Sequence, residues 1–229
     1  MLPADLRAAE AQALEALRSA LAADASGRWI VEWRFEGLRV LPVALRLARR
    51  LLADGPNLKL LFPDAGAAAL ARRDGADLAE RIQDFCLLLR LPEGSHSEGL
   101  VLAVAPSPAD YAEFEAICAN HRGPIAMLNG RLEDAAVGIG SVARQRRRGF
   151  LSQWQVAYAV QSVEGGALRR AHPGPWELYR EDPDGFRLAA AFETKPDGEL
   201  QAAALSGEAG TGLAGNLKAW DTFLEGLRH

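Results

Sequence analysis

LVLAVAPSPADYAEFEAICANHRGPIAML, residues 100–128, is the stretch on which the fold turns. It opens on a short, unbroken apolar run, residues 100–105, of the kind that suits a strand covered on both faces. Ser107 then stands where a helix cap is wanted, ahead of a helix predicted over residues 108–120. PIAML, residues 124–128, is the next strand. Strand, helix and strand in this order predict parallel pairing.

The same alternation extends upstream. A helix is predicted over residues 4–23, with Pro3 suited to its start and Leu14, Leu17 and Leu21 at helical spacing. WIVEWRF, residues 29–35, and NLKLLF, residues 57–62, read as strands, with a helix over residues 42–53 between them. Pro63-Asp64-Ala65-Gly66 is a turn into a helix over residues 67–73. FCLLLR, residues 85–90, reads as another strand buried on both faces, followed by a polar loop over residues 92–99. Downstream the rhythm changes. After a helix over residues 141–148, strands over residues 151–160, 167–170, 176–181 and 186–192 follow without helices between them. Gly165-Gly166 and Asp184-Gly185 mark hairpin turns. The expectation is an α/β domain over residues 1–196, with a mainly parallel sheet covered by helices and extended by an antiparallel meander in the C-terminal half. Residues 197–229 read as a linker and an amphipathic helix with a stripe of Leu213, Leu217, Trp220, Leu224 and Leu227.

Composition fits an ordinary globular protein: 229 residues, 49% hydrophobic and 24% charged. Cys86 and Cys118 both sit in apolar runs, which predicts reduced, buried thiols and a reducing compartment. The opening Met1-Leu2-Pro3-Ala4-Asp5 has no basic leader followed by an apolar core, so a cytoplasmic location is expected. No apolar run nears the roughly 18–20 residues that span a bilayer, so any membrane role is peripheral. A net charge of −4 argues against nucleic-acid binding. The charge is uneven, however: residues 139–180 hold seven arginines against two glutamates, a +5 island in an acidic chain.

Two groups of residues are candidates for a site. Asp64, Ser107, Asn129 and Arg131 lie in loops after three predicted strands, where open parallel sheets collect ligands. They could bind a nucleotide or phosphorylated metabolite, or they could simply cap helices and close turns. Arg144, Arg147 and Arg148 belong to the densest charge run and could dock on an acidic surface. Gly138-Ile139-Gly140-Ser141-Val142-Ala143 has the form of a dinucleotide fingerprint, but it comes late and after a polar loop, which reads as a flexible helix entry. Glu133 and Asp134 are adjacent and would point apart on a helix. His96, His121, His172 and His229 have no metal-ligand spacing, and no nucleophile elbow or P-loop is present. Trp176, behind Pro173-Gly174-Pro175, reads as a core anchor. No catalytic residue, metal or cofactor is predicted.

FPDAGAAALARRD (residues 62–74), MLNGRLED with VGIG and VARQRRRGFLSQW (residues 127–154), and PGPWELY (residues 173–179) together resemble a cyanobacterial and plastid family of unknown biochemical function. Its plant members include low photosystem II accumulation proteins and a domain appended to a chloroplast adenylate kinase. The family pattern has an Asn-Pro-Arg-Leu turn where this chain has Asn129-Gly130-Arg131-Leu132, a more flexible turn. The resemblance implies a non-enzymatic accessory or assembly role in photosystem II biogenesis, with a protein partner or the thylakoid surface as the docking target. It implies no catalysis.

Overall fold

The computed structural model describes residues 1–53, 55, 57–90, 99–132 and 141–206, apart from the side chains of residues 141–144 and 146. The elements run α1 (Leu6–Ala23), β1 (Arg28–Arg34), α2 (Val40–Ala53), β2 (Leu58–Phe62), α3 (Ala65–Asp74), β3 (Ile82–Asp84) and α4 (Phe85–Leu89). They continue with β4 (Leu100–Val104), α5 (Tyr111–Asn120), β5 (Ile125–Leu128), α6 (Ser141–Leu151), β6 (Trp154–Val163), β7 (Gly166–Ala171), β8 (Trp176–Asp182), β9 (Gly185–Phe192) and α7 (Gly198–Ser206). The strand order is β3-β2-β4-β5-β1-β6-β7-β8-β9. β1 to β5 pair in parallel, as does β6 with β1, and β8 and β9 are antiparallel, so the predicted fold class is the observed one.

Two compact units divide the chain. The larger comprises residues 2–161 and 170–174. Its central strands β4 and β5 are apolar throughout because both sheet faces are covered there. Leu58, Leu60, Leu100, Leu102, Ala126 and Leu128 face a core shared with α1, α2 and α3. The alternate residues Leu61, Val101, Ala103, Ile125 and Met127 face a second core shared with α4, α5 and α6. One strand register therefore divides the helices into two layers. In the first layer the buried Glu10 of α1 receives hydrogen bonds from both Nε and Nη2 of the Arg46 guanidinium of α2, a pairing that a buried carboxylate requires.

Residues 85–89 are helical, not the buried strand that the apolar run predicts. Asp84 accepts a hydrogen bond from the Leu87 N–H at 2.8 Å and starts the turn. Phe85 and Leu88 are buried, three residues apart, while Cys86, Leu87 and Leu89 are exposed. A run that is apolar at every position hides this helical period. Cys86 is consequently exposed, against expectation, and Cys118 is buried as expected.

Among the described residues, the smaller unit comprises Met1, residues 162–169 and residues 175–206. β8 and β9 form a hairpin whose turn ends at Gly185, with φ +126°, a backbone that side chains disfavour. Trp176 is buried, as predicted. Residues 198–206 form α7 where the sequence predicts a linker. Asp197 starts it by accepting from the Leu200 N–H at 2.9 Å. The stripe from Leu213 to Leu227 lies outside the described residues, as do residues 92–98 of the predicted loop, Glu133 and Asp134, and the glycines of the fingerprint-like run.

Candidate functional site

The carboxyl ends of the parallel strands offer crevices wherever neighbouring strands send their chains to opposite faces. β2 leads into α3 on one face, while its neighbours β4 and β3 lead into α5 and α4 on the other. β1 leads into α2, while its neighbour β5 leads towards α6. The loops carrying Asp64, Ser107, Asn129 and Arg131 thus lie along one sheet edge, as the sequence suggests.

Their polar groups are turned to internal work. The Asp64 carboxylate caps α3 by accepting from the Ala67 N–H at 2.8 Å. Ser107 forms a capping box with Asp110, whose carboxylate accepts from the Ser107 N–H at 2.7 Å and from the hydroxyl at 2.6 Å. Asn129 is used more fully. β5 ends opposite Val31, while β1 runs on to Arg34. On that side the N–H and C=O of Trp33 would have no strand to pair with. The Asn129 carboxamide supplies both partners: its Oδ1 accepts from the Trp33 N–H at 2.8 Å and its Nδ2 donates to the Trp33 carbonyl at 2.9 Å. Asn129 adopts the left-handed backbone, φ +51°, that lets it do so, a conformation asparagine tolerates better than most residues. The next residue, Gly130, is buried, and a Cβ there would overlap the Met127 sulfur. Arg131 is exposed, and its N–H donates to the Pro106 carbonyl at 2.9 Å.

A cleft of about 430 Å³ opens at the ends of β2 and β3. It takes in Asp64 but not Ser107, Asn129 or Arg131, and adds Asp84, Cys86, Arg90 and Glu113, which sequence reading missed. The missed signal was Asp84 followed three residues later by an apolar helix residue, a cap pattern masked by the apolar run. Three carboxylates against one guanidinium repel an anion. A smaller hollow of about 270 Å³ lies at the end of β1, between Phe35, Arg39 and Arg46. Among the described residues no group of three or more His, Cys, Asp or Glu side chains could hold a metal ion. The Cys118 thiol is pushed up to about 12 by burial, so it stays protonated and inert.

The basic helix presents a different geometry. Phe150 of α6 is buried against Tyr111, Phe114 and Trp154, with ring centroids 5.5–6.2 Å apart. That anchor sets the rotation of the helix. Arg147 lies over the Tyr111 ring at 4.6 Å, a cation–π contact, and is half-buried. Gln145, Arg148 and Gly149 are exposed. The Arg144 side chain lies outside the described residues, one helical turn before Arg148. Elsewhere in the island the charges are engaged internally: Arg169 meets Glu177 at 2.6 Å and Arg180 meets Asp182 at 2.8 Å.

Residues 3–203 match the family described as Domain of unknown function (DUF1995). The chain belongs to that family. The match takes in both the strand-end loops and α6, and it ends within α7. No curated protein matches the chain. Among the described residues of this DUF1995 chain, no helix is long and apolar enough to cross a membrane.

Proposed function

We propose that this DUF1995 chain is a non-enzymatic accessory factor that docks peripherally on an acidic membrane surface through the outward side of α6. The observation that supports this reading is the contrast within the basic island. Arg169 and Arg180 are held in ion pairs, whereas Arg148 projects from a helix fixed by Phe150. Each arginine near an anionic surface contributes about 1 kcal/mol, so a patch centred on Arg148, with Arg147 engaged by Tyr111, gives a weak, reversible attachment that salt can release. The setting suggested by the family resemblance is photosystem II biogenesis at the thylakoid surface. The strand-end loops give less support to a nucleotide or phosphorylated metabolite, because Asp64, Ser107 and Asn129 already serve the backbone and the neighbouring cleft is acidic.

Co-sedimentation with anionic and neutral vesicles tests the proposal. Binding is expected only to the anionic vesicles, falling with added salt and lost in the R144E/R147E/R148E variant. Binding that ignores both salt and charge reversal sinks it.

A further inference from the structure

Between β7 and β8 the chain rejoins the larger unit for a few residues. Residues 170–174 belong to that unit, although the residues before and after them belong to the smaller one. The segment is held at several points. The His172 N–H donates to the Ala157 carbonyl of β6 at 2.8 Å, and Arg170 Nε donates to the Val156 carbonyl at 3.1 Å. Ala171 packs against the first core. The His172 ring meets the buried Trp29 indole of β1 edge-on, with centroids 5.3 Å apart and planes at 71°. Gly27 makes room for that indole, since a Cβ there would lie 2.5 Å from Trp29 Nε1.

This contact suits an uncharged ring. His172 Nδ1 and Trp29 Nε1 are both shut off from water, and neither has a hydrogen-bond partner. In a neutral imidazole Nδ1 can be the acceptor, whereas in the charged ring it must donate. Neither the Trp29 indole nitrogen nor the Arg170 guanidinium has a lone pair to receive it. No charge balances the added proton either. Burial, and then the Arg170 charge, hold the ring below the ordinary histidine value, and among the described residues no carboxylate opposes them. On β1, Arg28 is turned to the carbonyls of Cys118, His121 and Gly123, and at the end of α1 the Asp24 carboxylate is engaged by Ser26.

We infer that His172 is an acid-released latch: uncharged, its ring holds residues 170–174 against Trp29, and on taking up a proton the ring leaves for water and the segment opens. The latch is remote in sequence from α6 and stands whether or not that helix docks. The open ring binds a proton with ordinary affinity and the docked ring more weakly, so falling pH favours opening. The latch is at full strength above about 6.5 and weakens as pH falls from there through the docked value. His172 is not fully buried and the segment is short, so it can open while the core stays folded.

Hydrogen exchange of the full chain, followed by mass spectrometry at residues 170–174 from about pH 8 to about pH 5, tests this once the intrinsic pH dependence of exchange is divided out. In the wild type, opening should rise by up to about tenfold for each unit of pH below about 6.5. In His172→Phe, which keeps an aromatic ring but cannot charge, it should not change with pH. The wild-type His172 ring protons, assigned by NMR through their contact with Trp29, should titrate below the ordinary histidine value. Parallel pH dependence in the wild type and His172→Phe overturns the inference. So does a ring that titrates at or above the ordinary value, since Trp29 would then be holding a charged ring through its π face.

Discussion

The loop after β5 and the helix α6 are both rich in polar groups, and the structure uses them in opposite ways. Asn129 turns its carboxamide inward and satisfies the backbone N–H and C=O of Trp33, which is buried. α6 buries Phe150 and leaves Arg148 in solvent. Polarity at the edge of a parallel sheet is thus no measure of availability for a ligand. A polar residue is free to bind only after the unpaired backbone around it has been satisfied.

Four substitutions and one titration would break or sharpen this contrast. The largest effect is expected from Phe150→Ala, which empties an aromatic cluster and should cost about 3–5 kcal/mol in denaturant unfolding. If the cost is below about 1 kcal/mol, α6 is not anchored as described. Asn129→Ala should follow at about 2–4 kcal/mol, because it strands two groups of a buried residue. A stable Asn129→Ala variant would release this residue for a ligand-binding role. Asp64→Ala removes one helix cap, and a loss of about 1 kcal/mol is expected. Arg148→Glu should leave stability within about 0.5 kcal/mol of the wild type while weakening vesicle binding. A marked loss of stability would show that this arginine serves the fold.

The acid limb of stability supplies the smallest effect. Burial opposes the charge on Glu177, yet hydrogen bonds from Tyr179 and Arg169 outweigh it and hold its carboxyl below the ordinary glutamate value. The Tyr179 hydroxyl is pushed up to about 12 by burial and by Glu177. A depressed carboxyl stabilises the fold above its unfolded-state pKa, and that contribution is lost as pH falls through the folded value. Unfolding midpoints followed from neutral pH downward should therefore decline less steeply in Glu177→Gln than in the wild type.

The division between what was legible and what was not follows the range of each interaction. The continuous apolar run at residues 100–105 announced a strand covered on both faces, residues 57–62 and 124–128 read as strands, and the local order of strands and helices implied parallel pairing. Asp64 and Ser107 were recognisable as caps because capping acts within three residues. The basic character of α6 could be counted from composition alone. Three things required the folded chain. The helical state of residues 85–89 depended on which side chains found a core, since every position was apolar. The partner of Asn129 lies 96 residues away, and nothing local announces that β1 outruns β5. The division of the +5 island into paired and open arginines depended on Glu177, Asp182 and the Phe150 anchor, which fix the surroundings of each charge. Sequence determined the elements and their charge because these rest on local patterns. Tertiary structure decided which polar groups remain available, because that depends on partners brought together only by folding.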